Sequence, residues 1–337
     1  MGPNDSPDTG RKINRRDFLR IASLAGGAAA LARIPDAFAL SAKRTTIATA
    51  GIGSVYFAIG GRIAQVLTRY SSLETVAEIT SGAADNCELV GAKRSDLGLV
   101  AADMAYDAFR GAGRFEGKPV PVRALTALYP NYTHIVTLAN KQITGVTGLA
   151  GRPVAIGTRS STTHTMALRL FEAAGIGPGN DVKKIIMASS ESPRSLRDGK
   201  IDAYVWVGGI PAASIADLAR TPGLAISLIG HGDLVPPMNS KYGPVYYRSV
   251  IPGKTYPGIR EDVTVCAVEN VMVCHRDMES RTAYTILKII FDHLREISAV
   301  HPQAKQISLE TGTSVNSLPY HPGAQKFFAE RGFNVPA

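Results

Sequence analysis

Two glycines that close short β-branched runs, Gly51 and Gly157, stand 106 residues apart, and so do two aspartates that open short apolar runs, Asp96 and Asp202. Each pair holds the same place in the same order of elements, which predicts two topologically similar α/β lobes. Units of strand and helix also look alike in any α/β protein, and that is the alternative. Around the first pair, Arg44–Ala50 and Leu73–Thr80 are rich in β-branched residues, and Asp96–Ala101 is a short buried strand. Val55–Tyr70, Ala84–Lys93 and Asp103–Arg110 between and after them carry helical spacing. Around the second pair the strands are Pro153–Gly157, Val182–Ala188 and Asp202–Val207, and the helices Thr162–Ala174 and Pro193–Arg197. Strands alternating with helices at this spacing imply a largely parallel sheet covered by helices.

Three segments fall outside the repeat. Val122–Tyr129 and Tyr132–Ala139 read as two β runs divided by Pro130-Asn131, and Val263–His275 as one long β run followed by an amphipathic helix from Asp277 to about Val300. These are predicted to cross between the lobes. The stretch from Arg220 to Pro257 is rich in Pro, Gly and Tyr and is predicted to form loops and short strands.

The amino terminus constrains the setting. Asn14-Arg-Arg-Asp-Phe-Leu-Arg20 fits a twin-arginine export signal, and Ile21–Ala32 behind it is only about twelve weakly apolar residues where a spanning helix needs roughly twenty. A small-x-small site at Ala37-Phe38-Ala39 places cleavage after Ala39. The predicted organisation is therefore a signal peptide at 1–39, lobe I from 40–131 and 270–337, and lobe II from 132–269. Export in folded form means folding in a reducing compartment, so Cys87, Cys266 and Cys274 are expected to stay unpaired. Cleavage would remove six bases and four acids and lower the net charge from +9 to +7. Those charges are scattered, without a basic stripe interleaved with aromatics, so nucleic acid is excluded as a partner. A mild positive field still favours small anions.

The enzyme classes are poorly served. Gly51-x-Gly53 follows a strand, but the third glycine of a dinucleotide fingerprint is replaced by Tyr56. There is no Gly-x-Ser-x-Gly elbow, no His-Glu-x-x-His, and no histidine spacing suited to a metal. Neither catalytic residues nor a metal or cofactor are expected. A hydrolase whose groups converge only in space stays open, as does an exported binding protein that serves a sensor.

Gly51-Ile-Gly-Ser-Val-Tyr-Phe-Ala-Ile-Gly-Gly61, Asp96-Leu-Gly-Leu-Val-Ala-Ala-Asp-Met-Ala-Tyr-Asp107, Leu125-Thr-Ala-Leu-Tyr-Pro130, Gly151-Arg-Pro-Val-Ala-Ile-Gly157, Asp198-Gly-Lys-Ile-Asp-Ala203 and Gly208-Gly-Ile-Pro211 together resemble the TAXI family of solute receptors, in order and over nearly all of the chain after the signal. The resemblance implies a type II periplasmic-binding-protein fold, two α/β lobes with a ligand cleft between them. It also implies a monomeric periplasmic receptor for carboxylates such as glutamate and 2-oxoglutarate, served by the membrane subunits of a tripartite ATP-independent periplasmic (TRAP) permease.

Strand-to-helix turns expose backbone N–H groups that favour anions. In the first lobe the turn holds Gly53, Ser54, Val55 and Tyr56. In the second it holds Arg159, Ser160, Ser161, Thr162 and Thr163, more hydroxyls than capping requires. Members of the family carry Gly-Ser-Gly-Thr-Glu at this second loop, where this chain has Ser160-Ser161-Thr162-Thr163-His164. Two glycines are thus replaced by larger hydroxyl residues, which predicts a smaller ligand or contact through side chains instead of amides. Ser81, Asn86, Asp103, Tyr129, Trp206 and Gly208 complete the candidates. For Asp103 a helix N-cap, for Trp206 a core aromatic, and for His134 a buried structural histidine are the competing readings.

Overall fold

The computed structural model describes residues 43–179 and 181–337; the predicted signal and its cleavage site lie outside the described residues. The first strand, β1 (Lys43–Ala48), feeds a turn whose Ser54 caps helix α1 (Val55–Tyr70) by accepting from the Phe57 N–H at 3.1 Å. Ile59, Ile63, Val66 and Leu67 recur at helical spacing and are buried, and each contributes roughly 1.5–3 kcal/mol by leaving water. Gly60 lets this helix lie against β1, because a Cβ there would stand 2.5 Å from the Thr49 methyl. After β2 (Leu73–Glu78), α2 (Ala83–Gly91), β3 (Leu97–Ala101) and α3 (Ala102–Arg110), the chain enters the long strand β4 (Val122–Leu138).

The second βα series is β5 (Pro153–Ala155), α4 (Thr162–Ala173), β6 (Lys183–Ile185), α5 (Ser192–Arg197), β7 (Ala203–Gly208) and α6 (Ala213–Ala219). Then come β8 (Ile226–Leu228), α7 (Val235–Tyr242), β9 (Tyr246–Ile251) and β10 (Val263–His275), and finally α8 (Ser280–Asp292), α9 (Leu294–Ser298), α10 (Leu309–Gly312) and α11 (Pro322–Ala329). The strands join in the order β2-β1-β3-β10-β4-β7-β5-β6, with β8 on β4 and β9 on β10. Pairing is parallel within β2-β1-β3 and within β7-β5-β6, and antiparallel wherever β4 or β10 takes part. Both long strands change partners midway. β10 pairs with β9 through Val263–Val268 and with β3 from Asn270 onward, while β4 pairs with β7 from Tyr132 onward.

Three expectations need correction. Pro130 does not divide two strands: β4 is continuous, and Pro130 lies beside a slip in its ladder with β10, where Tyr129 faces Asn270 but Ala127 faces Val271. A proline is tolerated at such a bulge because its missing N–H is not required there. The carboxy-terminal helix breaks at His293, whose backbone (φ −118°, ψ 26°) leaves the helix while its ring stacks on Tyr70 at 3.6 Å. The loop region also holds a helix, α7, whose Pro236-Pro237 sit in the first turn, where no intrahelical N–H is needed.

Candidate functional site

A cavity of about 630 Å³ opens where the turns after the strands of both halves face one another. From the first half it is lined by Ala50–Tyr56 and by Ser81, Gly82 and Ala83. The facing half contributes Ser161–Thr163 at the start of α4, Ser189 and Ser190 ahead of α5, Trp206–Gly209 at the end of β7, and Pro211–Ser214 where α6 begins. Tyr129 and Asn131 from β4, with His301, close it. Among the described residues no lysine, arginine, aspartate or glutamate lines this space.

Each turn is shaped by its residues. Gly53 adopts φ +86° in the turn before α1, a conformation that costs a residue with a Cβ. Gly157 sits at φ +79°, and a Cβ there would stand 2.8 Å from Ser161 Oγ. Ser161 caps α4, accepting from the His164 N–H at 3.2 Å and donating to the Thr158 carbonyl at 2.7 Å. Thr163 is buried, and its Oγ1 accepts from the Val207 N–H at 3.2 Å, pinning α4 to β7. Gly82, at φ +132°, precedes α2 without a side-chain cap and comes close to the Ser160 carbonyl across the cleft.

The hydrogen bonds behind the lining divide the candidates. Gly53, Ser54, Val55, Tyr56, Ser81, Tyr129, Ser161, Thr162, Thr163, Trp206 and Gly208 all border the cavity. Asn86 does not: it is fully buried, its amide donates to the Thr49 and Leu99 carbonyls at 2.7 Å each, and its oxygen accepts from Thr80. Asp103 is not a cavity residue either, nor the N-cap of α3, which is Ala101. It is buried against Tyr246, whose hydroxyl donates to it at 3.0 Å. Arg159 is exposed on its loop and outside the lining. Ser160 accepts from Arg114 at 3.1 Å and also lies outside the lining.

Asp103 and Asp107 on α3 meet Arg169 of α4 in a buried cluster that ties the two βα series together. Arg169 donates to Asp107 and, at 2.7 Å, to Tyr246, and its guanidinium lies 4.4 Å from the centre of the Tyr242 ring. Two acids share one base. Burial therefore outweighs the Arg169 charge and holds the Asp107 carboxyl up at about 6.

Behind Trp206, His134 is buried and structural. Its Nδ1 faces the Tyr132 carbonyl at 3.1 Å and so carries the proton, leaving Nε2 to accept from the Tyr256 hydroxyl at 2.9 Å. That hydroxyl in turn accepts from the Ala212 N–H at 2.9 Å. Burial drives His134 down to about 3, so it stays neutral. Trp206 packs edge-on against it, with ring centres 5.0 Å apart.

Tyr56 and Tyr129 behave differently. The Tyr56 hydroxyl donates to Asn270, which also accepts from Asn131 at 2.7 Å, so Tyr56 braces the point where β4 and β10 change partners. The Tyr129 hydroxyl is buried with no hydrogen-bond partner among the described residues.

Sequence reasoning passed over Asn131, Ser189, Ser190, Ser214 and His301. The serines had a signal, the same strand-to-helix turn that singled out Ser81. His301 had none, since it reaches the cavity from the carboxy-terminal region.

Three structural likenesses accompany this geometry. The chain is similar to XAC2383 from Xanthomonas citri bound to chloride ion, at 10% identity over 85% of this chain and 95% of that one, with a TM-score of 0.52. The same protein bound to ATP matches at 11% identity over 86% and 95% of the two chains, with a TM-score of 0.50. The periplasmic aliphatic sulphonate binding protein SsuA from Escherichia coli matches at 13% identity over 86% and 83%, with a TM-score of 0.49. The fold is the two-lobed α/β arrangement of the periplasmic binding proteins. The NMT1-like family matches residues 47–332, a span that runs from the end of β1 past α11 and takes in every residue lining the cavity, and the chain belongs to that family.

Proposed function

We propose that this protein is an exported receptor of the TAXI type, which binds a small organic anion, a carboxylate, in the cavity between its lobes and delivers it to a TRAP permease without turning it over. The observation that carries this reading is the convergence of strand-to-helix turns from both halves on one cavity that no acidic side chain lines among the described residues. Helix N-termini attract anions, and hydroxyls and backbone amides there give charge-assisted hydrogen bonds. The change of strand partners at Tyr132 and Asn270 supports taking 40–131 with 270–337 as one lobe and 132–269 as the other. Closure about that pair of strands would desolvate the anion and bring both sets of turns onto it. The family membership and the sulphonate-binding title of one structural neighbour are in keeping with a binding role. The proposed setting is the periplasm.

Calorimetric titration of the full-length protein with mono- and dicarboxylates of three to five carbons, and with glutamate, tests the reading. Saturable binding of one of them is expected. Absence of heat from all of them, together with turnover of an ester or amide, would replace the receptor by a hydrolase.

A further inference from the structure

Resting on the receptor reading, we propose that the cavity is built for a single-headed organic monoanion with an uncharged tail, whose oxyanion head takes a hydrogen bond from Tyr129, and that it discriminates against dicarboxylates and α-amino acids. The first argument is charge. The helices of eight or more residues that start at the lining are α1, α2 and α4. Each N-terminus acts as roughly half an elementary positive charge, enough for one anionic group and too little for two in a space with no lysine or arginine among its described lining residues. Arg114 is engaged with Asp85 and Glu88 and Arg169 with Asp103 and Asp107, and Arg159 is exposed on its loop outside the lining.

The second argument is the missing acceptor. An α-ammonium group buried here would need a carboxylate, and no aspartate or glutamate borders the cavity among the described residues. Asp103, the acidic candidate from the sequence, is turned to Tyr246 and Arg169. His301 cannot take that place either: its Nδ1 accepts from the Gln303 N–H at 3.2 Å, and burial lowers its proton affinity.

The third argument is independent of the helix ends. Tyr129 is 1% exposed, borders the cavity, and carries a hydroxyl without a partner among the described residues. A buried orphan donor is costly unless something fills the bond. Burial and the neighbouring Tyr56 push the Tyr129 hydroxyl well above its usual value, so it remains a donor at any physiological pH. An oxyanion between this hydroxyl and the turns satisfies both, and Trp206, Val207 and Pro211 on the facing side give an uncharged tail an apolar wall.

The test is a matched titration of the full-length protein with butanoate, 1-propanesulfonate, succinate, 2-oxoglutarate and glutamate. Butanoate or the sulfonate is expected to bind at least about tenfold more tightly than any of the other three, and which of the two binds better identifies the head. Tighter binding of succinate, 2-oxoglutarate or glutamate would overturn the inference and leave the receptor reading standing; no binding by any probe at millimolar concentration would overturn both. The variant Tyr129→Phe should lose about ten- to hundredfold in affinity for the better monoanion. Its ligand-free unfolding midpoint should not fall, because the hydroxyl bonds to nothing among the described residues. Unchanged affinity in that variant would remove Tyr129 from the head group.

Discussion

The cluster of Asp103, Asp107 and Arg169 makes a prediction whose sign is opposite to that of an ordinary salt bridge. Replacing Asp107 by asparagine keeps the shape and removes one of two acids that share a single guanidinium. In the folded protein the Asp107 carboxyl is held up at about 6 by burial, against an ordinary 3.8. A raised carboxyl contributes stability that is fully present below 3.8 and is lost as the pH climbs through about 6, because the unfolded chain releases its proton first. The gap corresponds to about 2–3 kcal/mol, lost between roughly pH 4 and pH 6. Asparagine resembles the protonated acid and has no such loss. Urea unfolding of both proteins at half-unit intervals from pH 4 to pH 7 gives the difference directly, and other carboxylates cancel in it. The Asp107→Asn variant should gain on the wild type by about 2–3 kcal/mol between the ends of that range. A flat difference, or one that moves toward the wild type as the pH rises, would mean that Asp107 is held by Arg169 as a favourable ion pair, and would refute the reasoning.

Other outcomes follow from the same coordinates. Ser161→Ala removes the α4 cap and should cost about 1 kcal/mol in unfolding free energy, and combined with Thr163→Ala it should weaken binding of the anion; unchanged affinity would take the second turn out of the site. Tyr256→Phe strands both His134 Nε2 and the Ala212 N–H and should cost roughly 2–4 kcal/mol by thermal or urea unfolding. Cys87, Cys266 and Cys274 are free and buried, and burial raises all three thiols, Cys266 to about 12. A disulfide reagent at pH 8 should therefore leave the native protein unlabelled and titrate 3 thiols after unfolding.

Local signals were legible and long-range ones were not. Helix α1 is predicted to the residue because Ser54 caps it and its apolar positions keep one period, and β10 likewise because thirteen residues run without a breaker. Pro130 misleads, since a bulge that tolerates it is a property of the partner strand. His293 breaks a helix for a ring carried by Tyr70, on another helix. In the site, the glycine and hydroxyl turns stand out because a strand-to-helix turn is written in adjacent residues. Asn86 and Asp103 look like cleft residues until their partners are known, and the Asp103 partner Tyr246 lies far along the chain. Nothing near Tyr129 in sequence shows that its hydroxyl has no partner among the described residues, since that depends on the packing of both halves.

The placement of β10 has a consequence for the order in which the chain can be finished. This strand lies between β3 and β4 in the sheet, yet it is made roughly 160 residues after β3. At about 5–20 residues per second, the first half waits something like ten to thirty seconds on the ribosome with an open seam in its sheet. An amino-terminal address of the kind predicted here would be the first part to emerge and would have to be read last, after the seam closes. A route that accepts only completed folds suits that timing; a route that threads the chain as it emerges would require β3 and β4 to meet β10 on the far side of the membrane.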